Sequence, residues 1–219
     1  MFEINDGTVG WIALNLAFLL DSLYYFPQVF KNHSRHDDLD ISISMHFIIL
    51  IGCISDLLYS FGRHMPWQYQ ATTVTCLLPV LIQYYQLWCV NDNPRVFALS
   101  NKLLASWVIA LSTAYLMVSD VTLIALFNGY MTQLCFSIAL IPQILKNYRL
   151  GHADALSLPT FIMMFIISCC DITSAWSLEF DLPSRYGSIM IIILESTCIA
   201  QIAWYRYKYS QTVQSLEWA

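Results

Sequence analysis

Four carboxylic acids stand in stretches otherwise suited to hydrocarbon. They are Asp21 in "IALNLAFLLDSLYYF", Asp56 in "HFIILIGCISDLLYSF", Asp171 in "FIMMFIISCCDITSAW" and Glu195 in "SIMIIILESTCIAQIAW". An ionised carboxylate in a bilayer core costs several kcal/mol, so such acids face a protein interior or a wet cavity and serve there as pairing or proton-carrying groups. At helical spacing Asp21 shares a face with Tyr25 and Gln28, Asp171 with Ser168, and Glu195 with Ser188 and Cys198. Glu195, near the middle of its run, is the leading candidate to take up and release protons, with Asp21, Asp171 and Asp56 behind it. Asp56 and Asp171 lie toward the ends of their runs, where a helix-end structural role is an equal alternative.

Uncharged polar residues recur in the same runs. Asn15, Thr75, Gln83, Asn128, Thr132 and Gln133 are expected to wet a cavity walled by Tyr24, Tyr25, Tyr84 and Tyr130. Taken singly, each is also ordinary interhelical glue. Solute-binding candidates among them are Tyr25, Gln83, Asn128, Thr132 and Gln133. Few basic residues lie in the membrane to neutralise the acids, with Arg63 and Arg185 at the outer rim and the other eight at the inner one, so the expected cavity suits protons and a cationic or zwitterionic solute better than an anion.

The elements that must position these groups follow from composition. The 219 residues are 58% hydrophobic and 11% charged, with a mean hydropathy of +0.56. Soluble domains carry about 25% charged residues. Apolar runs near the 20 residues that a spanning helix needs occur at 9–29, 41–62, 68–90, 101–119, 121–144, 156–178 and 185–206, separated by charged or turn-like segments. Seven Trp and thirteen Tyr suit interfacial belts. Seven cysteines form no metal-ligand spacing and read as small hydrophobes. The start "MFEINDGTVG" has no basic segment of the kind that precedes a cleavable signal.

With the N-terminus outside, Lys31, Arg35, Arg95, Lys102, Lys146, Arg149, Arg206 and Lys208 fall inside, and Arg63 and Arg185 outside. That bias predicts an external N-terminus and a cytoplasmic C-terminus.

The chain also repeats itself. "FPQVFKN" at 26–32 returns as "IPQILKN" at 141–147, and the overlay continues through Ser42/Ser157, Ile51/Ile166 and Asp56/Asp171. Two three-helix repeats in one orientation need an inverting helix between them. The expected architecture is therefore an all-α integral membrane protein of seven spans, 3+1+3. Residues 1–90 form the first repeat, 91–120 the linker helix, and 121–219 the second repeat with a short tail. Parallel repeats place a solute site near the midplane at their interface. Pro27 and Pro142 cannot donate a backbone hydrogen bond and crowd the carbonyls of Leu23 and Ile138, which must find other partners. With Gln28 and Gln143, whose amides can cap freed backbone groups, they are the expected hinges of a cytoplasmic gate.

These residues resemble the PQ-loop repeat family, which includes cystinosin, lysosomal cationic amino-acid exporters and, more distantly, SWEET sugar transporters and the KDEL receptor. The resemblance rests on Pro27, Gln28, Asn32 and Ser42, and again on Pro142, Gln143, Asn147 and "ALS" at 155–157. It spans essentially the whole chain. An acid six residues before a Gln, Glu195 and Gln201, is similar to the helix-7 pattern of cystinosin-like members and adds Gln201 to the binding candidates. The Asp linked to proton coupling in those members falls at Met164 here. Asp56 and Asp171 stand where the family often has Asn.

The resemblance implies a secondary transporter of a small polar solute, an amino acid foremost, driven by protons through alternating access. A passive SWEET-like sugar carrier would not need buried acids. A KDEL-receptor-like receptor would need cavity bases to grip a carboxylate. No metal-ligand spacing, nucleophile elbow or phosphate loop appears, so no enzymatic activity, metal or cofactor is expected, and no nucleic-acid partner. The partners implied are the solute, protons and the bilayer. His33, His36, His46, His64 and His152 are expected at or near loops, solvated. The sequon Asn32-His33-Ser34 falls on the cytoplasmic side and the tail shows no clear sorting signal. Both favour a bacterial inner membrane over a lysosomal or vacuolar one.

Overall fold

A computed structural model of the protein describes residues 6–34, 40–90, 94–117 and 120–217. The described residues form α1 (Asp6–Asp21), α2 (Phe26–Ser34), α3 (Ile43–Gly62), α4 (Trp67–Val90), α5 (Pro94–Met117), α6 (Val121–Ala139), α7 (Ile141–Leu150), α8 (Leu158–Ser177) and α9 (Leu182–Glu217). Seven helical stretches are long and apolar enough to cross a bilayer; the first joins α1 to α2 and the fifth joins α6 to α7. The Arg35 and His36 of the first basic segment lie outside the described residues.

Spans one and five differ most from expectation. They continue past the prolines to Ser34 and Leu150. Pro27 and Pro142 do not bend the end of a helix; each is the second residue of a new one. A first-turn N–H has no intrahelical partner in any case, and the fixed proline φ suits a helix start. The carbonyls expected to be orphaned are satisfied within the breaks. The N–H of Phe26 donates to Leu23 O at 3.1 Å, and the N–H of Leu140 donates to Ile138 O. Each span is therefore two rigid pieces with a short joint, at 22–25 in the first and at Leu140 in the second. Because the half-helices run on, Gln28, Lys31 and Asn32, with Gln143, Lys146 and Asn147, lie on helices at fixed spacing rather than in loops.

Within the first repeat α4 packs against both α1 and α3, and within the second α9 packs against both α6 and α8. In each, the third span of the repeat lies between the first and second. The repeats meet along two seams, α3 on α6 and α1 on α8. The first seam is close because it is built on glycine. A Cβ on Gly129 would lie 2.8 Å from the Tyr59 ring, and one on Gly52 would lie 2.6 Å from the Phe136 ring. Small residues bring membrane helices into the contact that apolar driving force cannot supply there. The linker α5 packs on the margins of α3 and α6 and meets α4 where Tyr84 OH donates to Asn101 Oδ1 at 3.0 Å, while its Leu99, Leu103 and Ile109 are exposed, as a lipid-facing connector requires.

Start signals fix the helix ends. Asp120 Oδ1 accepts from the N–H groups of Thr122 and Leu123, and Ser42 Oγ from that of Met45. One histidine departs from the loop expectation. His46 lies in the first turn of α3 and is buried, because its ring packs between the repeats.

Candidate functional site

All four membrane acids converge on one cavity. Asp21 from α1, Asp56 from α3, Asp171 from α8 and Glu195 from α9 line a space of about 160 Å³ between the repeats, and among the described residues no Lys, Arg or His lines it. Glu195 and Asp21 are buried, while Asp56 and Asp171 are half-buried. Local donors hold three of them. Ser168 Oγ donates to Glu195 Oε1 at 3.1 Å, Tyr69 OH to Asp56 Oδ1 at 3.1 Å, and the Cys76 thiol to Asp21 Oδ1 at 3.6 Å. Glu195 Oε2 and Gln133 Oε1 are buried with no hydrogen-bond partner among the described residues. Gln133 Oε1 lies against Gly187, where a Cβ would be 1.6 Å away, so Glu195 Oε2 is the acceptor that suits an occupant bringing N–H or O–H groups.

Below this cavity the duplicated motifs lock each other. Gln28 of the first repeat reaches the second. Its Nε2 donates to Ala155 O at 2.9 Å and its Oε1 accepts the N–H of Ser157 at 2.7 Å. Gln143 of the second repeat returns the arrangement, donating to Asp40 O at 3.2 Å and accepting the N–H of Ser42 at 2.7 Å. Each glutamine thus caps the helix that opens the other repeat's second span. Lys31 Nζ donates to Leu156 O at 2.6 Å and Lys146 Nζ to Ile41 O at 3.4 Å, again reciprocally. Asn32 and Asn147 accept from their own glutamines at 2.7 Å and donate to Gln86 and Gln201. Those two residues complete the circuit by donating to Val29 O and Ile144 O. Every contact has its counterpart 115 residues away.

The opposite end is closed differently. Arg63 makes a two-pronged ion pair with Asp181, at 2.6 and 2.9 Å. Tyr59 OH meets Ser184 Oγ at 3.0 Å, and the Tyr69 ring stands edge-on to Tyr59 and Phe180.

The expected site residues divide accordingly. Tyr25, Thr132 and Gln133 line the central cavity with the four acids. Three candidates do not. Gln201 serves the lock, because its amide is committed to Asn147 and Ile144. Asn128 is buried with its amide donating to Ile124 O, one turn back on α6. Gln83 lies in a second, smaller cavity nearer the lock. Pro27, Gln28, Pro142 and Gln143 stand at the joints and in the lock. Sequence reasoning missed Gln86, the partner that the repeat register pairs with Gln201. It also missed Cys76, Tyr69 and the buried His46. The repeat could have revealed Gln86; nothing in the sequence distinguishes Tyr69 from the other tyrosines.

Seven apolar helices, two equivalent bundles and between them a cavity that holds four carboxyls are the build of a multi-pass membrane carrier. A family model, the PQ loop repeat, matches residues 9–69 and 124–184, and the chain belongs to that family. Its fold is similar to that of a eukaryotic SWEET transporter solved at 3.7 Å, with a TM-score of 0.64 at 14% identity over 90% of this chain and 98% of that one. A search of curated proteins returned no match.

Proposed function

We propose that the protein is a secondary transporter that carries a small polar solute, an amino acid by its chemistry, together with protons. The observation that carries this reading is the larger of the two cavities between the repeats, lined by four carboxyls and, among the described residues, by no base, with an open acceptor at Glu195. An ammonium group supplies the donors and charge that such a cavity lacks. Glu195 and Asp21, the two buried acids of the lining, are the groups to exchange protons for solute, with Asp171 and Asp56 as the second pair. Tyr25, Thr132 and Gln133 are the uncharged contacts. The reciprocal glutamine lock is the cytoplasmic gate and the two proline joints are its hinges, in the orientation set by the basic residues. Opening there while the Arg63–Asp181 end stays shut, and the reverse, is alternating access. A receptor gripping a peptide carboxylate would need a base in the cavity, and among the described residues none lines it.

Uptake into liposomes holding the purified protein tests this reading, with labelled amino acids and sugars presented with and without an inward proton gradient. Gradient-stimulated uptake of an amino acid is the expected result. Sugar uptake that ignores the gradient would overturn it in favour of a passive carrier.

A further inference from the structure

The second cavity, about 30 Å³, lies between the central cavity and the lock. Tyr25, Ile49, Leu140 and Met164 line both spaces and form the partition between them. The smaller one has room for a water or two. Its polar lining is His46, Gln83, Thr160 and Gln28. His46 and Gln83 are each 1% exposed and Thr160 is 3% exposed, while Gln83 Nε2 and Thr160 Oγ1 have no hydrogen-bond partner among the described residues.

His46 is held from both sides. Its Nε2 meets Gln83 Oε1 at 2.5 Å and its Nδ1 faces Ser42 O at 3.4 Å. Both neighbours are acceptors as placed, and a ring that donates to both carries two protons. A neutral ring fits the same space with its one proton on Nε2, given to Gln83 Oε1, or with the Gln83 amide turned over. In the second case Gln83 donates to Nε2 while Nδ1–H donates to Ser42 O. Among the described residues nothing else holds that amide, since its Nε2 is unpartnered. The site accepts either protonation state with at most the rotation of one side-chain amide.

The duplication supplies an internal comparison. In the repeat register His46 corresponds to Phe161 and Gln83 to Cys198. Only the first repeat carries the imidazole, although both carry the lock. The ring is also wired to that lock: Ser42, whose carbonyl it faces, gives its N–H to Gln143.

We infer that His46 is a proton-binding site of the transport cycle, separate from the central carboxyls, and that its protonation from the cytoplasm releases the lock. This rests on the transporter reading above and on its orientation. The proton passes from cytoplasmic water onto the ring nitrogen left bare in the neutral form and returns to that water when the gate closes; Gln83 Oε1 already faces Nε2 in the closed lock, so what the closed lock lacks for the charged ring is a counter-charge. Among the described residues Tyr25 from the 22–25 joint is the one other titratable side chain lining the cavity; α4, α8 and Leu140 bring none. The lock's own charges meet backbone carbonyls of two residues that line the cavity, Lys31 on Leu156 O and Lys146 on Ile41 O, with Asp40 3.7 Å from Lys146. Among the described residues no carboxylate lines the cavity to balance an imidazolium, so the charge is best met by water admitted through an open gate.

The test needs no known solute. The full chain, labelled with ¹⁵N-histidine in lipid nanodiscs, is followed from about pH 5 to 8, the window in which imidazole ordinarily titrates. The ring signal missing from His46→Gln should gain a second proton as pH falls. Over the same window the amides of Ser42 and Ser157, corrected for intrinsic exchange, should lose protection in the wild type and not in the variant. The loss should be about tenfold for each pH unit separating the ring's titration in the closed and open gate. A ring that keeps one proton throughout overturns the inference, as does equal protection in the wild type and His46→Gln. Should that variant not fold, Gln replacements of the other four histidines identify the ring, and Gln83→Met supplies the exchange comparison. If liposomes take up no solute while His46 and the lock titrate together, it is the transporter reading that fails.

Discussion

Replacing Gln143 by Leu removes half of the reciprocal lock while keeping the side chain's bulk. Gln143 is fully buried and makes two hydrogen bonds across the repeats, to the N–H of Ser42 and to Asp40 O, besides the one to Asn147 inside its own half-helix. Only the cross-repeat pair breaks when the gate opens. At about 0.5–1.5 kcal/mol net for each bond, the variant shifts the closed–open equilibrium by about 1–3 kcal/mol, or roughly 5- to 150-fold. Amide exchange reads that shift, provided the right amide is followed. Ser42 loses its acceptor directly in this variant, so faster exchange there proves nothing about the gate. Ser157, which Gln28 holds and Gln143 does not touch, is the informative position. If the two halves form one gate, exchange at Ser157 rises by the same roughly 5- to 150-fold factor. Faster exchange at Ser42 with Ser157 unchanged would show two independent helix caps and refute the gate.

Three further outcomes are expected. Pro27→Ala and Pro142→Ala should leave insertion intact and slow turnover while equilibrium solute binding changes little, because alanine favours a continuous helix across each joint; unchanged transport in the double variant would leave the prolines as static helix starts. Glu195→Gln preserves size and hydrogen bonding to Ser168 but cannot titrate, so uptake should lose its acceleration by a proton gradient while exchange of labelled for unlabelled solute continues; a wild-type gradient response would transfer the coupling role to Asp21, Asp171 or Asp56. Reporters fused before Met1 and after Ala219 should read the external and cytoplasmic faces respectively, and a shared compartment would contradict a spanning α5.

Much of the fold was legible because a bilayer leaves few choices. Backbone groups in hydrocarbon must be satisfied within the segment, so a long apolar run is a helix. Seven such runs and one 115-residue repeat suffice for the 3+1+3 arrangement. The acids were legible for the same reason, since a carboxyl in such a run must face inward, and all four do. Uncharged polar residues carry no such constraint. Gln133 lines the cavity, Asn128 turns to its own helix and Gln201 belongs to the lock, yet nothing in their local sequence separates them.

By itself the sequence determined the spans, the duplication, the inward acids and the special status of Pro-Gln. These follow from hydropathy, spacing and the missing proline N–H, all local properties. Only the tertiary structure decided that the prolines begin helices rather than bend them, because that depends on whether the preceding carbonyls find partners inside the break. It alone showed that each glutamine caps the other repeat, since a bond spanning more than 100 residues has no local signature. It also moved His46 from an expected loop to a buried cavity, because the depth of a helix's first turn is set by what packs over it, here Gln83 and the second repeat.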